Sequence, residues 1–285
     1  MSKKKNISSD NIPKTIIYTA KALQFISTDL AVKFAKKLFT TPIKHKLPKR
    51  ELEMETNSIQ EFIKLPSLSK KIRIYHYGCS NKKVLLVHGW SGRGTQLVKI
   101  AEKLLELGYS TISFDAPAHG KSPGNSTLMT EFIASILELE KKFGPFEYIV
   151  GHSLGGMSTL NAIKQGLKVK KAVIIGSGDS VNDILQDFVS KLELNKNIAI
   201  KMRDSFEKEY QMDMESFSAY VAAKEVKVPV LVVHDKLDKD VPYSASENIH
   251  KHLENSELLL TEDLGHRKIL GDKEVIIKIV DFISK

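Results

Sequence analysis

The chain has 285 residues, 42% hydrophobic and 27% charged, which fits one large or two small packed domains and excludes a disordered or low-complexity chain. Its one cysteine, Cys79, excludes an intramolecular disulfide and fits a reducing compartment or an exported protein without staples. The net charge of +9 belongs to the N-terminus: residues 1–50 hold twelve Lys and Arg against two Asp, and the rest sums to −1. That argues against a nucleic-acid-binding core, which would carry its basic residues on the folded domain.

Residues 1–10 are polar and Lys-rich and are expected to be disordered. Residues 13–40 read as an amphipathic helix. Ile16, Ala20, Leu23, Leu30, Phe34 and Leu38 fall on one stripe, Ser27 interrupts it, Lys14, Lys21 and Lys36 lie opposite, and Pro42 ends it. Lys21 and Lys33 break the apolar run, so no membrane span is expected, and the compact apolar region of a signal peptide is missing. Two readings follow: the helix packs on the core, or it lies on an anionic membrane surface with its lysines as the electrostatic part. The expectation is a cytoplasmic protein whose N-terminal helix packs on the core, with peripheral membrane association through that helix as the alternative.

Residues 44–55, charged and containing Pro48, read as a connector. Residues 61–65 and 72–77 alternate as an antiparallel strand pair at a sheet edge. The run 84–87 is continuously apolar, as in a strand buried on both faces of a parallel sheet. Helices are then expected at 95–107, 128–143, 153–166, 244–253 and 273–283. Strands are expected at 111–114, 148–150, 172–175, 230–233 and 258–260. The fold class is therefore α/β, with a mostly parallel central sheet and helices on both faces.

The stretch between residues 175 and 228 holds more helix than one crossover needs and reads as a helical lid insertion. Its Met and aromatic residues, among them Met202, Phe206, Tyr210, Phe217 and Tyr220, are expected to form mainly a small core of their own. The chain divides into a basic extension 1–50, a core 51–176, the lid 177–227 and a second core part 228–285.

The chemistry centres on Gly151-His152-Ser153-Leu154-Gly155, set between an apolar strand and a helix. Strand, G-x-S-x-G and helix together make a nucleophile elbow, in which the hydroxyl stands out of the sheet top at a helix N-terminus. Ser153 needs a base. His45 lies in the connector, His76 in an edge strand, and His250 and His252 within a helix, while the His152 side chain is expected to point away from Ser153. His266 follows the last strand, on a loop that can meet the elbow at the C-terminal edge of the sheet. An acid must orient the base, and Asp235, Asp238 and Asp240 all follow the strand 230–233; spacing does not choose among them. One oxyanion donor is the Leu154 N–H, and another should come from His88-Gly89-Trp90-Ser91-Gly92, a loop that holds the only Trp.

From about residue 59 to the C-terminus the chain resembles the α/β-hydrolase superfamily. The matching segments are His88-Gly89-Trp90, Asp115-Ala116-Pro117-Ala118-His119-Gly120-Lys121-Ser122, Gly151 to Gly156, His234 to Pro242, and Gly265-His266. The resemblance implies a Ser153, Asp238, His266 triad, since the family's acid stands three residues before its Val-Pro, and places the oxyanion donors on Trp90 and Leu154. It also implies a lid where the insertion lies. Ala118 and Asp235 stand where the family often has Gly.

The expected function is a serine hydrolase cleaving a small or medium, partly apolar carboxylic ester, with no cofactor or metal. The alternatives are an acyltransferase or C–C bond hydrolase with the same triad, or an idle fold that binds a ligand or partner. The expected partner is a small ester or acyl substrate, not nucleic acid.

Overall fold

The computed structural model describes residues 12–285. The segment 1–10, expected to be disordered, lies outside the described residues. The helix expected over 13–40 is two helices, α1 (Lys14–Ile26) and α2 (Thr28–Phe39). They break at Ser27, which is extended at φ −160°, ψ 129°. Its N–H closes α1 on the Leu23 carbonyl, and its own carbonyl accepts the Ala31 N–H that opens α2. Asp29 in the first turn of α2 and Lys36 and Lys37 in the last complement its dipole.

The break rotates the stripe. Ala20, Ala31, Val32 and Ala35 enter the core, but Leu30 does not and is exposed. Lys36, expected on the outer side, turns inward instead. Its Nζ lies 4.3 Å from the centre of the Phe206 ring and 2.7 Å from Glu209. The connector is also partly ordered: a turn at 49–51 leads into α3 (Leu52–Asn57). Buried Glu51 there accepts Thr95 Oγ1 at 2.8 Å.

An eight-stranded sheet follows. Its strands are β1 (Ile59–Leu65), β2 (Lys70–Tyr77), β3 (Lys83–Val87), β4 (Ser110–Asp115), β5 (Tyr148–His152), β6 (Lys171–Ile175), β7 (Val230–Asp235) and β8 (Ser256–Thr261). The spatial order is β1-β2-β4-β3-β5-β6-β7-β8. β1 and β2 are antiparallel, β2 and β4 likewise, and every other pair is parallel. Val87 pairs with Gly151, His152 with Ile175, and Ile175 with Val233, so the C-terminal ends of β3, β5, β6 and β7 share one edge.

Strand side chains alternate between two core layers. Leu85 and Val87 face α5 (Met129–Phe143) and α6 (Leu154–Lys164); Val84 and Leu86 face α4 (Val98–Glu106) and α12 (Lys273–Ser284). Between β6 and β7 the chain forms α7 (Val181–Lys191), α8 (Asn197–Tyr210) and the short α9 (Ala219–Ala223). Their buried Leu185, Val189, Met202 and Phe206 join the α5–α6 layer and the N-terminal hairpin instead of forming a separate core. Phe39 of α2 bridges them, with ring centroids 5.2 Å from Phe188 and 6.0 Å from Phe206. After β7 comes α10 (Ser244–His252), and after β8 the single turn α11 (Gly265–Lys268).

Candidate active site

Ser153 stands alone between the end of β5 and the start of α6, with φ +54° and ψ −120°. A non-glycine residue in this region costs about 1–3 kcal/mol and persists only where its surroundings enforce it. Here they do. The Ser153 N–H donates to the Ile175 carbonyl at 2.8 Å, and its carbonyl accepts the Gly156 N–H at 2.9 Å. A Cβ on Gly155 would lie 2.4 Å from the Val87 carbonyl oxygen, so no other residue lets α6 approach β3 this closely.

The loop after β7 carries the three expected aspartates, and they separate by their partners. Asp238 Oδ2 accepts the Nδ1–H of His266 at 2.7 Å. Its Oδ1 accepts the N–H groups of Asp240 and Val241 at 2.8 and 3.0 Å. His234 Nε2 lies 3.3 Å from the same Oδ2. Burial alone would raise the Asp238 carboxyl, but the hydrogen bonds from His234 and His266 and the His266 charge outweigh it and hold it well below the usual carboxylate range.

Asp235 is a linker. It accepts the N–H of Leu237 in the Asp238 loop at 3.0 Å. It also accepts the Leu264 N–H at 3.0 Å and Thr261 Oγ1 at 2.8 Å, beside His266. Burial opposes its charge, but donors including Gly265, Thr261 and Leu264 prevail and depress its carboxyl. Asp240 Oδ2 lies 4.0 Å from Arg267.

His266 was expected on a loop; it is the second residue of α11. Because its Nδ1 donates to a carboxylate, Nε2 is left with the lone pair. Its carbonyl accepts the Nε2–H of His152 at 2.9 Å, and the two ring centroids lie 4.6 Å apart. His152 is buried, which pushes its imidazole down to about 3. Its Nδ1 has no partner among the described residues. A Cβ on Gly89 would lie 3.1 Å from that Nδ1 and 2.9 Å from Ser153 Cβ, so the loop after β3 reaches the elbow only as glycine.

That loop is shaped by donors already in use. The Gly89 N–H goes to Gln96 Oε1 and the Ser91 N–H to His119 Nε2, both at 3.0 Å, and the Gly92 N–H to the Gly89 carbonyl. The N–H of Trp90, between them, donates to no described residue. Leu154 opens α6, so its N–H has no acceptor within the helix. The Trp90 ring sits edge-on to His119, with centroids 5.2 Å apart.

His119 accepts through Nε2 because its Nδ1 donates to the Pro117 carbonyl at 3.0 Å. Burial pushes its imidazole down to about 4, so it stays a neutral acceptor. His88 is pinned likewise: Nδ1 donates to the Gly89 carbonyl and Nε2 accepts the Ala116 N–H. Burial drives it well below the usual histidine value. Asp115 is raised by burial against the N–H groups of Gly94 and Lys121 and the Tyr75 hydroxyl that donate to it.

The structure thus brings Asp238 to His266 and sets Ser153, Trp90 and Leu154 at the same sheet edge. Sequence reasoning overlooked His234, His88 and His119 as supports and weighed Asp235 as a candidate acid, not as the linker between the two loops. A signal existed in that each ends or follows an apolar strand run that delivers a site loop. Among the described residues no three His, Cys, Asp or Glu side chains converge to hold a metal.

The family model described as alpha/beta hydrolase family matches residues 84–272. No curated protein matches the chain in sequence. Among solved structures it is similar to an esterase from Exiguobacterium antarcticum, at 20% identity and TM-score 0.62 over 80% of this chain and 100% of that one. It is similar to a putative lipase from Acinetobacter baumannii, at 18% identity and TM-score 0.60 over 97% and 98% of the two chains. A bromoperoxidase from Bacillus anthracis matches at 17% identity and TM-score 0.62 over 79% and 99%. At these identities the likeness is one of fold.

Proposed function

The chain belongs to the alpha/beta hydrolase family, and we propose that it is a serine hydrolase that cleaves a small or medium, partly apolar carboxylic ester. The observation that carries the proposal is the 2.7 Å bond from His266 Nδ1 to buried Asp238, at the sheet edge where Ser153 is held at φ +54°. A buried, charge-assisted bond of this kind fixes the tautomer that leaves Nε2 as a base.

In this reading Ser153 Oγ attacks the ester carbonyl carbon and its proton passes to His266 Nε2. The carbonyl oxygen becomes an oxyanion and takes the unused N–H groups of Trp90 and Leu154. Collapse breaks the C–O bond, and the alcohol leaves with the proton from His266. Water then attacks the acyl-enzyme, gives its proton to His266, and Ser153 is restored as the acid departs. Asp238 stays ionised and stabilises the imidazolium. The partly buried side chains of Leu154 at the elbow and Ile184 of the insertion supply apolar surface, which supports a partly apolar acyl group. In this reading the insertion is the lid of the site. The esterase and lipase among the structures of the same fold agree with ester cleavage.

The test is hydrolysis of nitrophenyl esters of increasing acyl length by the wild type and Ser153→Ala. The expected result is turnover with a chain-length optimum that the variant loses. Turnover that survives Ser153→Ala would contradict the assignment. Acyl transfer to an added alcohol faster than hydrolysis would move the reading to an acyltransferase.

A further inference from the structure

The N-terminal hairpin exposes what a core helix hides. Its inner side is held to α7, α8 and the turn between them: Lys36 pairs with Glu209, Lys21 with Glu193 at 2.8 Å, and Gln24 accepts the Asn195 N–H at 2.7 Å. Its outer side is free of the fold. Phe25 is 93% exposed, Ile26 71% and Tyr18 64%, and Leu30 is exposed across the break. Lys14, Tyr18 and Phe25 stand at i, i+4 and i+11 on one exposed line of α1, and Lys21, at i+7, borders that line from its pair with Glu193. Lys33 and Lys37 flank Leu30 on α2 and are exposed. Asp29 is the acidic exception, 3.9 Å from Lys201.

We infer that this outer side seats the protein on an anionic lipid surface, with Phe25, Ile26, Tyr18 and Leu30 entering the headgroup boundary and the lysines meeting lipid phosphates. Charge selects this occupant. Residues 1–50 carry a net charge of +10 on a chain whose remainder is −1. A second copy docking through the same face would set lysine against lysine, which opposes association. The undescribed residues 1–11 hold only Met1 and Ile7 as large apolar side chains and add three more lysines, so their composition does not suit them to cover the patch. An alternation of basic and aromatic or aliphatic side chains is what an interfacial helix presents, the lysine stems lying along the apolar surface with their heads at the phosphates. No described helix is long and apolar enough to cross a membrane, so the contact is lateral. The inference concerns binding and stands whether or not Ser153 is a nucleophile.

The test is flotation of the full chain with vesicles of phosphatidylcholine alone or mixed with phosphatidylglycerol. Wild type should partition at least about tenfold more onto the anionic vesicles, and added salt should release it. Phe25→Ser/Ile26→Ser and, separately, Lys14→Glu/Lys37→Glu should each lower that partition by on the order of tenfold or more. All these positions are exposed, so both variants should keep wild-type circular dichroism and solution turnover. Equal binding to both vesicle types, no binding to either, or unchanged binding by the Phe25/Ile26 variant would overturn the inference. So would light scattering that shows a wild-type dimer and a monomeric Phe25/Ile26 variant, which would assign the patch to a second copy.

Discussion

Two regions of this molecule reverse the ordinary partition of side chains, in opposite directions. The sheet edge buries polar groups: His88, His119, His152, His234, Asp115 and Asp235 are each at most 1% exposed. The N-terminal hairpin exposes apolar ones, with Phe25 and Ile26 in water. An unpaired buried polar group costs about 1–3 kcal/mol, so those at the edge are tied to partners, the His152 Nδ1 being an exception. Exposed apolar groups carry no such requirement and are tied to nothing. The comparison teaches that rigidity at the edge comes from hydrogen bonds to backbone N–H and carbonyl groups, whereas the outer hairpin contributes little to stability.

The largest expected effect tests the edge. Asp238→Asn keeps the shape of the loop but takes the charge from His266, and kcat should fall by about 10⁴-fold while circular dichroism stays that of the folded protein. A loss below tenfold would show that the buried carboxylate does not orient the base.

The next is a dependence on pH. His119 and His152 are held at about 4 and about 3, below the ordinary 6.5. The unfolded chain therefore takes up protons first as the solution is acidified. Stability should be full above about pH 6.5 and should fall from there toward pH 4, by about 1.4 kcal/mol per pH unit for each histidine. His88 acts in the same direction. Asp238, depressed in the fold, contributes its full stability above the ordinary carboxylate range and loses it only below, and Asp115, raised by burial, acts against the histidines, so a fall across this window belongs to the histidines. Urea melts from pH 8 to 4 would show it, and a flat profile between 6.5 and 4.5 would contradict buried neutral imidazoles.

His119 sharpens the comparison further, because its acceptor nitrogen shapes the loop beside Trp90. His119→Ala should lower kcat by roughly 10–10²-fold with little change in KM, since the oxyanion donor is needed most in the transition state. His119→Gln, which can accept through its amide oxygen, should recover part of the rate. An equal loss in both variants would reduce His119 to packing. The smallest effect belongs to the hairpin: Phe25→Ser/Ile26→Ser should change unfolding free energy by no more than about 0.5 kcal/mol.

Much of this was legible in the sequence. The continuous apolar run at 84–87 and the alternation after it marked the parallel sheet, and the Gly-flanked Ser153 marked the elbow. Local pattern could not show which way α2 turns, because the break at Ser27 rotates it so that Lys36 packs inward and Leu30 outward. Nor could it show that the insertion shares the main core, since Met202 and Phe206 read the same in either arrangement. His234, His119 and Asp235 act through contacts set by the meeting of separate loops, and spacing along the chain does not encode that meeting. The resemblance singled out Asp238 among three aspartates that spacing left equal, and in the structure that is the one bonded to His266.

The central claim is that Ser153 is the nucleophile activated by His266. Intact-mass measurement after exposure to a fluorophosphonate tests it most directly. Wild type should gain one phosphonyl group, located to Ser153 by peptide mapping, and Ser153→Ala should gain none. An unlabelled wild type that is folded by circular dichroism, or one labelled equally in both proteins, would contradict the account.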